Sequence, residues 1–236
     1  MKLQLLKDKI KKQNILFYIL KSIKVYTYDV YVKYRRNKLF LSNGRKVLLD
    51  FDKAMKEVGI EYWLFFGTLL GAYREKSFIG HDFDIDVGLF QKSYTIEMES
   101  ILVRNGFRKK REFLIDDGKF GREETYEKDG VSIDLFYFSR SNTTFFCHLF
   151  DNKDKQGVAI NVENNGGYIV RELSYPYKGF SNLIFLGKDF MVPTNVHEIL
   201  VCDYGVNYMT PDPNYIGGER KNVRYLDHKR GILKRL

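Results

Sequence analysis

Cysteine, proline and long apolar runs are all scarce in this chain of 236 residues. Its 2 cysteines, Cys147 and Cys202, stand far apart in apolar stretches, which predicts two buried thiols and suits a reducing cytosolic compartment. Neither cysteine has partners at zinc-ligand spacing, so we expect no zinc site. With 4 prolines, 19 glycines and no low-complexity run, the chain is not expected to be disordered or fibrous.

No uninterrupted apolar run approaches the roughly 20 residues that a membrane-spanning helix needs. The N-terminus is basic, but its apolar run at residues 15–20 is short and no small-residue cleavage site follows it. We therefore expect the N-terminus to be retained and the protein to be cytoplasmic. Peripheral attachment to the inner face of the cell membrane is left open.

Charge is distributed unevenly along the chain. Residues 1–48 hold 13 basic and 2 acidic side chains, and residues 218–236 hold 7 basic and 2 acidic ones. The stretch between them, 49–217, has 19 basic and 26 acidic side chains. The formal net charge of +9 is therefore a property of the two ends, and the acidic centre argues against a nucleic-acid partner.

The first 44 residues have the pattern of a basic amphipathic helix, with apolar residues at spacings of three and four and lysines between them. We predict that residues 1–44 form a helical arm that ends in a break at residues 42–44. A second helix is predicted over 45–58. Gly59 would end it in the left-handed conformation that glycine adopts cheaply.

Residues 45–217 are predicted to form one catalytic domain, and residues 218–236 a basic C-terminal tail. Period-two patterns with turn signals predict strands between residues 107 and 150, and a helix is predicted to begin near Pro193. Helices and strands do not alternate as in repeated βαβ units. The fold class is therefore predicted to be α+β, with a mixed sheet flanked by helices.

Three aspartates at alternate positions, Asp82, Asp84 and Asp86, give the strongest chemical signal. Residues two apart on a strand share a face, so these three would form one acidic row. Their carboxylates repel one another unless they are solvated or bind a cation, and hard divalent ions prefer carboxylate oxygens. Asp134 is a lone charge in an apolar strand pattern, and it would join the row if its strand lay beside the first.

A phosphate site is predicted next to this row. Gly67 and Thr68 stand between a short strand and a short helix, where backbone N–H groups suit a phosphate, and Arg74 would add positive charge. Alone, Gly-Thr is a common helix start and alternating aspartates are common in solvated turns. The joint order of strand, Gly-Thr, helix, Asp-x-Asp and a lone Asp favours a catalytic site.

Residues 66–86, FGTLLGAYREKSFIGHDFDID, closely resemble the signature of the LicD/fukutin-related family. Residues 192–211, VPTNVHEILVCDYGVNYMTP, are similar to the family's closing segment, in which a helix started by proline leads to Tyr-Gly and Met. The chain departs from the family pattern at Gly80-His81, where Pro-Trp is usual, and at Phe83, where a further Asp is frequent. These departures leave the three spaced carboxylates intact and concern the substrate.

The resemblance implies the polymerase-beta-like fold of the nucleotidyltransferase superfamily. It also implies a transferase that moves a phospho-alcohol from a CDP-linked donor to a hydroxyl of a cell-surface or lipid-linked glycan, releasing CMP. Phosphocholine, ribitol phosphate and glycerol phosphate are the phospho-alcohols considered. Attack of the hydroxyl on the donor's β-phosphorus would need Mg²⁺ or Mn²⁺ to neutralise the developing charge.

The resemblance also assigns roles to the residues already singled out. The predicted metal ligands are Asp82, Asp84, Asp86 and Asp134. The predicted catalytic residues are Asp84, Asp86 and Asp134, with Asp134 favoured as the general base. The predicted contacts to the donor's phosphates are Gly67, Thr68 and Arg74.

Two other functions stay open. A nucleotidyltransferase of the same superfamily would move an NMP and release pyrophosphate, whereas a non-catalytic binder of anionic surfaces would have no use for the acidic row. The basic arm at residues 1–44 also has two interpretations. It packs on the body with its lysines in solvent, or it docks on an anionic membrane where lipid-linked glycans are built.

Overall fold

The computed structural model describes the backbone of residues 2–212 and 220–236 and, within the first helix, the side chains of Tyr28 and of residues 30 onward. These residues form four α-helices and ten β-strands. The helices are α1 (Lys2–Val58), α2 (Phe66–Arg74), α3 (Ile96–Arg104) and α4 (Val196–Tyr204). The strands are β1 (Trp63–Leu64), β2 (Asp84–Phe90), β3 (Arg108–Ile115), β4 (Gly121–Lys128), β5 (Val131–Arg140), β6 (Thr144–Asp151), β7 (Tyr168–Pro176), β8 (Phe180–Phe185), β9 (Lys188–Pro193) and β10 (Val223–Arg235).

Helix α1 runs without interruption through the residues that predict a break, so that prediction is wrong. The turn-forming side chains are used in contacts instead. The Ser42 hydroxyl donates to a carbonyl one turn earlier in the helix, and the Asn43 amide donates to the Asp129 carbonyl at 2.8 Å. At Gly44 a Cβ would lie 3.2 Å from the ring of Phe78, so glycine allows α1 to approach this ring closely.

The C-terminal end of α1 lies where the sequence predicts it. The helix ends at Val58, and Gly59 follows with a φ of 73°. Most side chains of residues 1–29, whose apolar spacing contributes to the helix prediction, lie outside the described part. The boundary predicted at residue 44 stays a prediction, but it falls within a helix whose Phe40 is fully buried. The last turns of the predicted arm therefore belong to the core.

Eight of the strands form one sheet in the order β1-β2-β5-β4-β3-β10-β7-β6. Neighbouring strands are antiparallel except β2 and β5, which run parallel. Strand β6 also pairs with the end of β5, so the sheet curls back on itself. Helix α1 contacts α3, β2 and β5, whereas α2 contacts β2, α4 and β8. A large mixed sheet flanked by helices confirms the predicted α+β class.

The C-terminal segment does not stay outside the domain as predicted. Strand β10 lies inside the sheet, where it pairs with β3 on one side and with β7 on the other. Its apolar residues anchor it, since Leu226 is only 4% exposed. The segment predicted as a basic C-terminal tail therefore contains a strand of the sheet from residue 223 onward, because alternating basic and apolar residues also suit a half-buried strand.

Aromatic side chains fill the core where β1 leads into α2. The Trp63 ring lies 5.0 Å from that of Phe90, 5.3 Å from that of Phe138 and 4.6 Å from that of Phe180, measured between ring centroids. The neighbouring Phe65 packs edge-on against Phe138 at 4.8 Å. Aromatic pairs of this kind add to the free energy gained by burial. They fix the start of α2 against β2 and β5.

Helix α1 is long, but its residues are not apolar enough for a membrane span. Across residues 2–212 and 220–236, no helix has the length and hydropathy required to cross a bilayer.

Candidate active site

The four predicted acids come together on the sheet. Asp84 and Asp86 lie on one face of β2, and Ile85 between them is fully buried on the other. Strand β5 runs parallel to β2 in a register that pairs Asp86 with Asp134. Asp82 lies two residues before Asp84, the first residue of β2. The condition set for Asp134 is therefore met, and it joins the acidic row.

The start of α2 holds the innermost acid of this row. The Gly67 N–H donates to Asp86 Oδ2 at 2.9 Å, and the Asp86 N–H donates to the Thr68 hydroxyl at 2.9 Å. On the neighbouring strand, the Thr125 hydroxyl donates to Asp134 Oδ1. Since these partners are backbone groups or buried hydroxyls, the carboxylates of Asp86 and Asp134 are held in place.

Glycine at position 67 leaves room for the two carboxylates that lie next to it. A Cβ there would lie 2.9 Å from Asp82 Oδ2 and 3.2 Å from Asp86 Oδ2, closer than ordinary contact. Phe66, just before it, has a φ of 40°, which non-glycine residues rarely adopt. This sharp turn brings the backbone of Gly67 against two acids at once.

Helix α1 supports the first acid of the row. The side-chain amide of Asn37 donates to the carbonyls of Gly80 and Asp82, both at 2.9 Å. These two bonds fix the loop that leads into β2. A residue of the predicted arm therefore helps to position Asp82, a role that the sequence pattern did not reveal.

Burial raises the pKa values of all four acids, and repulsion by neighbouring carboxylates raises those of Asp82, Asp86 and Asp134 further. Burial, followed by the negative charge of Asp84, raises the pKa of Asp82 to about 7 and that of Asp134 to about 6. Burial also raises the pKa of Asp84, against the opposing charges of Arg36 and Arg111. The pKa of Asp86 is raised well above its usual value, first by burial and then by the charges of the other three acids. Near neutral pH the row cannot carry its full charge without a cation.

The chemistry of the row fits a hard divalent cation. Its donors are all carboxylate oxygens, which Mg²⁺ and Mn²⁺ prefer. Among the described residues, however, no three His, Cys, Asp or Glu side chains are gathered closely enough to form a ready-made metal site. Side-chain rotations would therefore have to accompany binding.

A cleft of about 740 Å³ opens beside Gly67 and Asp82. Arg74, His81 and the aromatic residues Tyr204 and Tyr208 are among the residues that line it. A cleft of this volume and mixed polarity accommodates a nucleotide-sized ligand.

The three predicted phosphate contacts have partners within the protein. Gly67 and Thr68 hold Asp86, as described above. The Arg74 guanidinium pairs with Glu75 at 2.6 Å and donates to the Tyr208 carbonyl at 2.9 Å. Gly67 and Arg74 both line the cleft, and contact of the three residues with phosphate stays a prediction.

One acid beside the row was missed by the sequence analysis. Glu123 on β4 is 7% exposed, and burial, followed by the charge of Asp134, raises its pKa to about 8. Its carboxylate lies 3.9 Å from the Arg111 guanidinium, which is 4.0 Å from Asp134. The signal was present but ambiguous, because Glu123 and Glu124 are adjacent and a strand places them on opposite faces.

Comparison with known proteins agrees with this geometry. Residues 59–195, which contain Gly67 and the whole acidic row, match the family described as LicD/FKTN/FKRP, nucleotidyltransferase domain. The chain is 30% identical over 178 residues to the ribitol-5-phosphate transferase FKTN of Macaca fascicularis and to that of Homo sapiens. Each match covers 73% of the chain and 34% of the relative. The Mus musculus relative of the same name is 30% identical over 106 residues, which are 42% of the chain and 22% of that protein.

The chain thus spans about a third of the length of the first two relatives. The family match nevertheless covers more than half of the chain and contains strands β1 to β9, the start of α2 and the four acids. The chain belongs to the LicD/FKTN/FKRP family.

Proposed function

We propose that this protein transfers a phospho-alcohol from a CDP-activated donor to a hydroxyl of a glycan and releases CMP. Ribitol phosphate is the first phospho-alcohol to consider, because the relatives are named ribitol-5-phosphate transferases. We also propose that the sheet has the polymerase-beta-like arrangement of nucleotidyltransferases, in keeping with the description of the matching family.

The observation that carries the proposal is the parallel register of β2 and β5. It sets Asp86 directly beside Asp134, and the turn at Gly67 brings Asp82 to the same place. Four acids with raised pKa values are costly to assemble, so their convergence needs a ligand that repays the cost. A divalent cation bound to a diphosphate is such a ligand.

Mg²⁺ or Mn²⁺ held by Asp82, Asp84, Asp86 and Asp134 would neutralise charge that develops on the diphosphate. Asp134 would accept the proton of the acceptor hydroxyl while the hydroxyl oxygen forms a bond to the donor's β-phosphorus. The bond between that phosphorus and the oxygen shared with CMP breaks, and CMP leaves with the electron pair. Arg74 lines the cleft and would meet a donor phosphate there.

The test is release of CMP from CDP-ribitol by the purified chain, measured by chromatography with Mn²⁺ or Mg²⁺ and with EDTA. Water serves as the acceptor when the glycan is unknown. Asp84→Asn and Asp86→Asn should each lower CMP release at least 100-fold. Asp189→Asn is the matched control, because Asp189 is exposed and lies outside the site.

Folded Asp84→Asn and Asp86→Asn variants with normal turnover would contradict the proposal. Pyrophosphate and an NMP adduct, formed from a nucleoside triphosphate, would assign the protein to nucleotidyl transfer instead.

We further propose that α1 attaches the protein to an anionic membrane surface. Three tyrosines on its exposed part, Tyr28, Tyr31 and Tyr34, are each more than half exposed, and basic residues flank them. Aromatic rings and lysines of this kind suit a membrane interface. Tyr28→Ser/Tyr31→Ser/Tyr34→Ser should lower co-sedimentation with phosphatidylglycerol vesicles, and unchanged binding would contradict the attachment. Substitution is preferred to deletion of residues 1–44, which would remove the buried Phe40.

A further inference from the structure

The cleft beside Gly67 and Asp82, which is the donor cleft in the proposed function, is lined by two separate parts of the chain. One part is α2 together with the loop that leads to β2. The other is the end of α4 and the segment that follows it, residues 205–212, which forms neither helix nor strand. Residues of this segment that line the cleft are Asn207, Tyr208, Thr210, Pro211 and Asp212. A segment without regular structure depends on side-chain contacts for its position.

Tyr208 is the buried anchor of this segment. It is 4% exposed, whereas all the other residues of 205–212 are exposed, including Val206 at 77% and Met209 at 53%. Two backbone hydrogen bonds stay within the segment, from the Tyr208 N–H to the Gly205 carbonyl at 3.2 Å and from the Thr210 N–H to the Asn207 carbonyl at 2.9 Å. They shape the turn, and Tyr208 connects it to the domain.

Tyr208 is held at both of its ends. Its hydroxyl oxygen shares a hydrogen bond of 2.9 Å with Nδ1 of His197 on α4, and the two ring centroids are 5.6 Å apart. Its carbonyl accepts a hydrogen bond of 2.9 Å from the Arg74 guanidinium on α2. The Tyr73 ring lies beside it, with a centroid distance of 6.4 Å. Contacts from α2 and α4 thus fix both the ring and the backbone of this residue.

His197 differs from Arg74 in its relation to the donor cleft. Arg74 lines that cleft itself, so its loss would remove a candidate phosphate contact as well as a support. His197 instead lines a separate cleft of about 360 Å³. Its link to the donor cleft is the bond to Tyr208, which lines the donor cleft.

We propose that His197 is a positioning residue for donor binding, which acts by fixing the Tyr208 ring and with it residues 205–212. The inference rests on the proposed function, since it takes the cleft at Gly67 as the donor site. Removal of Nδ1 takes away a hydrogen-bond partner of a largely buried tyrosine, so the ring would turn to find another partner and the segment would follow. The acids on β2 and β5 would keep their places, so binding should suffer and the chemical step should not.

The test measures CMP binding to the full chain by calorimetry with Mg²⁺, and KM and kcat for CDP-ribitol in the CMP-release assay. His197→Phe keeps a ring but loses Nδ1, so it should raise the CMP Kd and the donor KM about 10-fold and change kcat less than about 3-fold. His197→Asn carries an amide on the same Cγ that bears Nδ1, so it should restore most of the affinity. The matched control is His228→Phe, because His228 is exposed on β10 and should bind like the wild type.

A double-mutant cycle isolates the hydrogen bond. Tyr208→Phe removes the hydroxyl and keeps the ring, so it should match His197→Phe in CMP affinity. The double variant should bind no more weakly than either single variant, because all three lack the same bond. Additive losses would overturn the proposal, and so would an unchanged CMP Kd in His197→Phe or equal losses in His197→Phe and His197→Asn.

Failure of this inference is distinguishable from failure of the proposed function. If the wild type binds CMP but releases none from CDP-ribitol, the transfer reaction is rejected and calorimetry alone still decides the role of His197. If the wild type releases CMP and His197→Phe lowers kcat without changing KM, the transfer reaction stands and the positioning role is overturned. Absence of CMP binding by the wild type would overturn the positioning role by removing the donor site on which it depends.

Discussion

The close contact between Gly67 and two carboxylates leads to a sharp prediction for Gly67→Ala. The added Cβ would lie 2.9 Å from Asp82 Oδ2 and 3.2 Å from Asp86 Oδ2. Both oxygens are the far ends of side chains, so they can move aside without displacing backbone. The stability of the fold should therefore change little, because alanine gains about 0.5–1 kcal/mol over glycine in a helix and this offsets the contact.

Activity should respond much more strongly than stability. A displacement of the order of 1 Å at a catalytic group costs about 100-fold in rate, which corresponds to roughly 2.7 kcal/mol in the barrier. We expect CMP release by Gly67→Ala to fall by about this factor. We also expect Mn²⁺ affinity, measured by electron paramagnetic resonance, to fall.

Two other glycines frame this prediction. Gly80→Ala adds a Cβ with no atom within 4 Å, so both stability and turnover should be retained. At Gly71 the Cβ would lie 2.6 Å from the backbone carbonyl of Ser77, which cannot swing away, so Gly71→Ala should lower the unfolding free energy by about 1–3 kcal/mol. Wild-type CMP release and Mn²⁺ affinity in Gly67→Ala would refute the argument that Asp82 and Asp86 need this space.

Three further predictions concern the row, its support and a buried histidine. Asp134→Asn should abolish CMP release. It should nevertheless stabilise the metal-free protein by up to roughly 3 kcal/mol at pH 7.5, and not at pH 4, because the pKa of Asp134 rises from 3.8 to about 6 on folding. Urea unfolding at both pH values checks this, and equal gains would contradict it. Asn37→Ala removes two hydrogen bonds, so we expect a loss of about 1–2 kcal/mol in unfolding free energy and a drop of 10-fold or more in CMP release. A drop in stability alone would show that catalysis does not need these hydrogen bonds to the loop at Asp82. Burial lowers the pKa of His148 from 6.5 to about 4, so the wild type loses stability as the pH falls from 6.5 to 4. His148→Phe should reduce that loss by an amount of the order of 3 kcal/mol, measured as a smaller fall in Tm between pH 7 and pH 4. An unchanged slope of Tm against pH would exclude His148 as its source.

Local pattern was enough to find the acidic row. Asp84 and Asp86 alternate with the buried Ile85, and a period of two is a property of any strand. Asp134 could be found because a lone charge in an apolar strand needs a partner. Its pairing with Asp86 could only be stated as a condition, since strand neighbours are not encoded locally.

What the sequence analysis missed depends on contacts between distant residues. Asn43 and Gly44 are typical of turns, yet a carbonyl on Asp129 and the ring of Phe78 give them partners while they stay helical. Arg36 and Arg235 lie in the two segments predicted as a basic arm and a basic tail. Their convergence on Asp84 and Asp134 follows from the packing of α1 and from the place of β10 in the sheet.

The position of β10 also bears on how the protein is made. The strand from Val223 to Arg235 separates β3 from β7, which precede it by a long stretch of chain. While residues 223–235 are still inside the ribosome, β3 and β7 each expose an unpaired edge, and such edges recruit strands from other molecules. Slow synthesis of residues 223–235, or a nascent chain halted before them, would therefore favour aggregation over folding.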